Sequence, residues 1–287
     1  MKQESMNNKY NIIKLCQLAG KSRQAYYKSV DKQSLSTGFE EEIVIDTIKN
    51  IRELMPKCGT RKLYHLLKRE HKESIHIGRD ALFDVLRNNR MLVRQRRKKV
   101  VTTHTYHWLN KFDNLIKKLD VTRPNQVWVS DITYIRYASD VAYLFLITDL
   151  KTRKIMGYKL SINLEAINAL EALNMASKTA NTELDGLIHH SDHGVQYCSL
   201  AYIKMIEKLN GKSSMSAKGN PYENAVAERV NGIIKNEWLD EENFNDYKQL
   251  EKRVDDVINT YNTKRLHMSL NYKTPDEVYY QFFNEAI

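Results

Sequence analysis

Three apolar, β-branched segments follow one another with only short polar turns between them. They are QVWVSDITYIR from residue 126, VAYLFLITDL from residue 141 and, after a KTR turn, KIMGYKLS from residue 154. Segments rich in Val, Ile, Thr and aromatic residues predict strands. Because connections this short join only antiparallel neighbours, the middle of the chain is predicted to form an antiparallel meander.

A helix and a short strand are predicted after the meander. Residues 164–179 can turn four apolar side chains to a core, namely Ile167, Leu170, Leu173 and Met175. GLIHH at residues 186–190 is a short apolar strand, and helices dominate from there to the end of the sequence. This order predicts an α/β domain built on a mixed sheet with flanking helices.

Three carboxylates stand where such a sheet could bring them together. Asp131 lies within the first strand, Asp192 at the C-terminal end of the short strand, and Glu228 on a later helix. A carboxylate inside an apolar strand is costly to bury unless it binds a cation or another partner. Converging carboxylates make an oxygen-rich site for Mg²⁺ or Mn²⁺, as two-metal phosphoryl transfer requires.

Each acid also has a structural interpretation. Asp131 could cap a turn or bulge, and Asp192 could be an ordinary residue of a strand-end turn. Asp149, at the end of the second strand, is a rival carboxylate, but it precedes LKTRK and is therefore assigned to a turn or a salt bridge.

The helix that carries Glu228 is predicted from its capping residues and its apolar repeat. Asn220 can cap it, Pro221 suits its first turn and Glu223 can complete a capping box. A core-facing stripe is expected from Val226, Val230 and Ile233. Glu228 lies nearly opposite this stripe, and Lys235, two turns later, shares its face.

The first third of the chain is predicted to be helical. Residues 1–36 read as a helix, a glycine turn at Gly20 and a second helix, an outline similar to a helix-turn-helix. Residues 37–100 add a longer helix and a second helical pair, then RNNRMLVRQRRKK, with seven Lys or Arg and no acid. Like charges without counter-charge favour a linker that contacts nucleic acid over a solvated face.

Bulk composition agrees with a nucleic-acid partner. The formal net charge of +10 favours polyanions, and no apolar run approaches the length of a membrane span. The N-terminus lacks a signal-peptide core. Cys16, Cys58 and Cys198 lie far apart with no CxxC pair, which argues against a zinc module and fits a reducing cytoplasm.

Several motifs resemble those of one family. VWVSDITYI, HHSDHGVQY, SMSAKGNPYENAVAERVNGIIKNEW and YNTKRLHMSLNYKTPDEV are similar to successive motifs of the DDE transposases of bacterial insertion sequences. The similarity is to the second-frame (OrfB) protein of the group that resembles retroviral integrases, and AGKSRQAYYK and CGTRKLYHLLKR extend it upstream. Two departures are modest: Glu223 stands where many relatives have aspartate, and Arg229 where serine is frequent.

The resemblance implies a ribonuclease-H-like catalytic domain over residues 101–287, preceded by the all-α helix-turn-helix-like region. Asp131, Asp192 and Glu228 would be its metal-binding triad, with Asp131 bridging two ions. The implied activity is metal-dependent cleavage and transfer of DNA strands at the ends of an insertion element. A catalytically inactive DNA-binding regulator and a ribonuclease-H-like nuclease acting on structured DNA or RNA are the alternatives.

The resemblance also places Lys235 as a DNA-contacting residue. His190 and Lys218 are either helpers near the scissile phosphate or surface residues of basic loops, and Arg265 and His267 either contact DNA or pack against the core. The basic linker contributes Arg94, Arg96, Arg97, Lys98 and Lys99. The implied partners are double-stranded DNA, further copies of the chain on DNA, and the upstream-frame (OrfA) protein, in a cytoplasmic, nucleoid-associated bacterial setting without a membrane.

Overall fold

The computed structural model describes residues 16, 18–22, 24, 38–71, 76–94, 112–180, 182–216 and 224–285. These residues fall into two compact units: one ends at residue 94 and excludes residues 54–57, and the other contains residues 54–57 and the described chain from residue 112 onward. No helix in the described ranges is long and apolar enough to cross a membrane.

Three helices lie in the described part of the first unit. They are α1 (Gly38–Leu54), α2 (Thr60–Glu70) and α3 (Arg79–Asn88). The longer helix and the helical pair predicted for this region are therefore present, and their apolar positions are buried, for example Ile48, Leu63 and Leu82. The helix-turn-helix-like segment at residues 1–36 lies almost entirely outside the described residues.

A five-stranded mixed sheet forms the centre of the second unit. Its strands are β1 (Val127–Tyr137), β2 (Asp140–Asp149), β3 (Ile155–Ser161), β4 (Ile188–Ser191) and β5 (Lys212–Met215), in the spatial order β3-β2-β1-β4-β5. β1, β2 and β3 pair antiparallel, while β4 pairs parallel with both β1 and β5. This confirms the predicted meander and the ribonuclease-H-like mixed sheet.

The strand β5 was not predicted. Its sequence, KSSM, is short and polar, and it is a strand because its backbone continues the parallel ladder beside β4, with Ser191 opposite Met215. Pairing with a neighbour distant in sequence overrides a weak local signal.

Five helices flank the sheet in the described residues. They are α4 (Ala166–Ala180), α5 (Leu200–Lys208), α6 (Ala225–Glu237), α7 (Tyr247–Thr263) and α8 (Pro275–Asn284). α6 begins after Asn224, one turn later than predicted. Asn220, Pro221 and Glu223, the predicted capping residues, lie outside the described residues.

The predicted core face of α4 is partly wrong. Leu173 is buried, but Ile167 and Met175 are exposed, and alanines take their place in the core: Ala169, Ala172, Ala176 and Ala180. Small residues are required because α4 packs closely on β3. A Cβ atom added at Gly157 would lie 2.6 Å from the backbone nitrogen of Ala176.

The two faces of the sheet bury different clusters. Trp128, Phe145 and Met156 pack with α4, α5 and α8 in the larger cluster. Val127 and Val129 pack on the opposite face against Ala227 of α6 and against apolar residues at 116–121. Because side chains alternate along a strand, Asp131 emerges on the same face as Val127 and Val129, next to α6.

Candidate active site

Strand register brings Asp131 and Asp192 side by side. The parallel pairing of β1 and β4 matches Val127 with Ile188 and Val129 with His190. Continuing the same offset along both strands matches Asp131 with Asp192, which directly follows β4. Both carboxylates therefore stand at the C-terminal edge of β4, the edge at which α/β sheets place their sites.

Helix α6 carries the third carboxylate, Glu228, and two of its asparagines bind β1 near this edge. The side-chain amide of Asn224 donates a hydrogen bond to the carbonyl oxygen of Ser130 at 3.1 Å, and that of Asn231 donates to Asp131 Oδ2 at 2.8 Å. Glu228 lies one turn from each asparagine and so shares their side of the helix. The expectation that Glu228 sits away from the buried stripe is met, since Val230 and Ile233 are buried and Glu228 is exposed.

The three acids influence one another electrostatically. The pKa of Asp131 is raised to about 7, chiefly by burial and then by the charges of Asp192 and Glu228, against the hydrogen bond from Asn231, which lowers it. Burial and the charge of Asp192 also raise the pKa of Glu228. Carboxylates close enough to hinder one another's ionisation need a cation to be ionised together.

The donor chemistry at this edge fits Mg²⁺ or Mn²⁺, both of which prefer carboxylate oxygens. Across the described ranges, no three His, Cys, Asp or Glu side chains are close enough as they stand to hold one ion together.

The loop after β4 holds the Asp192 carboxylate. Its Oδ1 accepts a hydrogen bond of 2.9 Å from the backbone N–H of Gly194. A Cβ added at Gly194 would lie 3.0 Å from this oxygen, so only glycine leaves it room. Tyr197 follows in the same loop, and burial together with Tyr202, Asp192 and Asp131 raises its pKa, which keeps the phenol protonated near the acids.

A neutral polar network lies beneath the acids on the other face of the sheet. His189 Nε2 is 2.7 Å from Ser130 Oγ and 2.8 Å from Tyr202 Oη, and all three residues are buried. Burial and the neighbouring His190 lower the pKa of His189 to about 3. The prediction missed this network; a histidine in an apolar strand, next to the Asp192 motif, was the available signal.

His190 does not lie on the surface, which removes one of the two interpretations left open for it. It is fully buried in β4, and its Nδ1 is 2.9 Å from Ser214 Oγ on β5. The same hydroxyl accepts a hydrogen bond from the Leu115 backbone. A role of His190 at a phosphate stays a prediction, and a direct contact would require its side chain to become exposed.

Lys235 lies two turns along α6 from Glu228, and its Nζ is 4.0 Å from the centroid of the Tyr134 ring. Burial lowers its pKa, with Asp240 opposing and Arg136 reinforcing the shift. Its contact with DNA stays a prediction.

Two other open assignments are resolved by burial. Arg265 and His267 are both buried, and Arg265 donates two hydrogen bonds of 2.7 and 2.6 Å to Glu237, so these residues pack against the core. Asp149 is a turn residue, as predicted, because its carboxylate accepts hydrogen bonds from the backbone of Asn125 and Thr152.

The remaining predicted DNA contacts are largely outside the described residues. Arg94 is described and exposed. Lys218 and the basic residues Arg96, Arg97, Lys98 and Lys99 lie outside the described ranges.

Comparison with known proteins identifies the family of the chain. Residues 121–221 and 210–275 match two models of the integrase core domain. An uncharacterised 31 kDa protein of insertion element IS600 from Shigella sonnei is 35% identical over 268 residues, covering 91% of this chain and 96% of that protein. The transposase of insertion sequence element IS904 from Lactococcus lactis is 35% identical over 166 residues, covering 57% of this chain and 65% of that protein.

Among solved structures, the catalytic core domain of HTLV-2 integrase in complex with magnesium aligns with a TM-score of 0.43 at 19% identity. The alignment covers 55% of this chain and 97% of that chain.

Proposed function

The chain belongs to the insertion-sequence transposases with an integrase core domain, and on that premise we propose that it cuts DNA strands at the ends of an insertion element and joins them to target DNA with the help of divalent cations. The observation that carries the proposal is geometric: the β1–β4 register sets Asp131 beside Asp192, and Asn231 connects Asp131 to the helix that carries Glu228.

Two cations per site, Mg²⁺ or Mn²⁺, would be held with Asp131 between them, Asp192 on one side and Glu228 on the other. When bound, such ions stabilise the charge on the attacking and leaving oxygens of an in-line displacement at phosphorus. Asn231 orients Asp131 through Oδ2, and Gly194 orients Asp192 through Oδ1.

The proposed reaction has two displacements. In the first, a water oxygen forms a bond to phosphorus while the bond to the 3′ oxygen of the element breaks, which leaves a 3′-OH and a 5′-phosphate. In the second, that 3′ oxygen attacks a phosphodiester of the target, and the target's own bond to its 3′ oxygen breaks. One phosphodiester forms as another opens, so joining needs no external energy source.

DNA binding would involve more than the catalytic domain. Residues 37–100, with the basic segment ending at Lys99, would bind duplex DNA, and residues 1–36 would contribute a helix-turn-helix-like element. Lys235 and Lys218 would contact phosphates near the cut. Terminal inverted repeats and target DNA, further copies of the chain and the upstream-frame protein are the proposed partners, with the nucleoid as the proposed location.

The triad is tested by Asp131→Asn, Asp192→Asn and Glu228→Gln, each of which removes a charge without adding bulk. Each variant should lose cleavage of a duplex ending in the element's terminal repeat while keeping affinity for that duplex in Ca²⁺. The matched control is Asp256→Asn on α7, an exposed acid that should leave both unchanged.

Near-normal cleavage by any triad variant would remove that residue from the proposed site. A wild-type chain that binds the repeat but cuts nothing with Mg²⁺ or Mn²⁺ would favour the inactive regulator instead. Equal cleavage of random structured DNA or RNA would favour a nuclease.

A further inference from the structure

Helix α6 contacts β1 at a second place, beyond the contact between Asn231 and Asp131. One turn after Asn231, which binds Asp131, the Nζ of Lys235 lies 4.0 Å from the centroid of the Tyr134 ring. Tyr134 follows Asp131 by three residues on β1, in the stretch past the last residue paired with β4. Lys235 therefore reaches Tyr134 beside the stretch of β1 that follows Asp131, where no β4 residue pairs with the strand.

Tyr134 is an aromatic residue that the core does not use. It is 44% exposed although it lies within a strand, whereas Tyr143, its direct partner on β2, packs against the large cluster. An exposed aromatic ring beside a site for DNA is suited to packing against a base or a deoxyribose.

Two cations share this location. Lys235 is half-buried and Arg136 is exposed. Arg136 follows Tyr134 by two residues on β1, so the two side chains share one face of the strand, and the charge of Arg136 lowers the pKa of Lys235. The charge of Asp240 acts in the opposite direction and raises the pKa of Lys235. Lys235 and Arg136 together carry more positive charge than Asp240 offsets, which favours the binding of a phosphate between them.

From these contacts we propose that Tyr134, Arg136 and Lys235 form a nucleotide subsite that holds the DNA strand flanking the cut. Arg136 and Lys235 bind backbone phosphates, and the exposed part of the Tyr134 ring packs against a base or sugar. This inference rests on the proposed function, and it adds two residues, Tyr134 and Arg136, to which the resemblance assigns no role.

The distance from the acids sets which nucleotide is held. Glu228 and Lys235 are seven residues apart, or about 10 Å along the helix. Asp131 and Tyr134 are three residues apart, again about 10 Å along the strand. Since one strand of DNA advances about 3.4 Å per phosphate along the helix axis, the subsite should contact the chain about three nucleotides from the scissile phosphate.

The test couples changes in the protein to changes in the DNA. The full chain is titrated in Ca²⁺ with duplexes that end in the terminal repeat and carry a single abasic nucleotide at one of positions one to eight from the cut. A second series carries single neutral methylphosphonates at the same positions. Binding without cleavage is the readout, so a chain that binds but does not cut would refute the proposed reaction while still testing the subsite.

Wild-type protein should lose about tenfold in affinity when the third nucleotide is abasic, as expected for one stacked base. Tyr134→Ala should bind the intact duplex about tenfold more weakly than wild type, and the abasic nucleotide should cause it no further loss. Tyr134→Phe should behave as wild type. Arg136→Ala and Lys235→Ala should each be insensitive to a methylphosphonate near that position and lower the salt slope by about one.

The matched control is Lys178→Ala, which removes one exposed positive charge from α4. It should show no coupling to any single position. The subsite would be overturned if the affinity lost by Tyr134→Ala or Arg136→Ala added to the affinity lost by the DNA lesion at every position. It would also be overturned if Tyr134→Ala lowered the melting temperature but left DNA binding unchanged.

Discussion

The side-chain amide of Asn231 on α6 donates a hydrogen bond to Asp131 Oδ2 on β1 over 2.8 Å. This contact connects the helix that carries Glu228 to the strand that carries Asp131. It favours the ionised carboxylate, because it lowers the pKa of Asp131 against the upward effect of burial. The relative position of two of the three acids thus depends on a residue that is not itself an acid.

Replacing Asn231 by leucine should weaken the site without unfolding the domain. Loss of the donor should raise the pKa of Asp131 further, so that Mn²⁺ binding at pH 7 weakens, on the order of tenfold for each pKa unit. Asn231→Gln, which keeps an amide, should recover part of the affinity. Calorimetric Mn²⁺ titrations at pH 7 and pH 8.5 measure this, and equal affinities of wild type and Asn231→Leu at both values would contradict it.

Gly194→Ala should disturb Asp192 specifically. The added methyl would lie 3.0 Å from Asp192 Oδ1 and 3.2 Å from Gln196 Oε1, so the carboxylate must shift. We expect a loss of cleavage of tenfold or more, for about 1.4 kcal/mol of lost transition-state stabilisation, with little change in melting temperature. The control is Gly232→Ala on α6, whose methyl would lie at an ordinary 3.7 Å from Asn236. Equal cleavage by the two variants would show that the loop tolerates the methyl.

His189 should make the fold sensitive to acid. Its pKa is lowered from 6.5 to about 3. Below pH 6.5 the imidazole is therefore protonated in the unfolded chain but stays neutral in the folded chain. The corresponding stability is present above pH 6.5 and is lost as the pH falls toward 3, by about 1.4 kcal/mol per pH unit. His189→Gln cannot titrate, so the stability advantage of wild type over the variant should shrink across this window. Urea unfolding at pH 8, 6 and 5 measures the difference in unfolding free energy between wild type and variant. A difference that does not change with pH would contradict a lowered pKa of His189.

Gly157→Ala should be strongly destabilising. Its methyl would lie 2.6 Å from the Ala176 nitrogen and closer still to the Ala172 carbonyl oxygen, so α4 would have to move off β3. Overpacking of this kind costs about 1–3 kcal/mol or more. Gly232→Ala again serves as the control, and its better helix propensity should make it neutral or stabilising. Equal denaturation midpoints for the two variants would contradict the close packing.

The basic segment should supply non-specific affinity. Changing Arg94, Arg96, Arg97, Lys98 and Lys99 together to alanine should weaken binding to every duplex and lower the slope of log affinity against log salt by up to about 4. Removing three exposed lysines elsewhere, Lys204, Lys208 and Lys212, is the control for net charge. An unchanged slope in the first variant would show that the segment is only a solvated face.

Local patterns in the sequence were sufficient for several elements. The β-branched runs identify β1, β2 and β3, because alternation and short turns act between neighbouring residues. The position of Asp149 before a basic turn identifies it as a turn residue for the same reason. The order of Asp131, Asp192 and Glu228 is likewise a property of the sequence alone.

Tertiary structure decided the rest, since it depends on contacts between residues distant in the chain. The register that sets Asp192 beside Asp131, the addition of β5, the burial of His190 and the alanine face of α4 all follow from which surfaces pack together. Helical periodicity could put Lys235 on the face of Glu228, but it could not show that Tyr134 lies beneath it. Asp131 on β1 and Asn231 on α6 are 100 residues apart in sequence, so they come into contact only when the whole core forms.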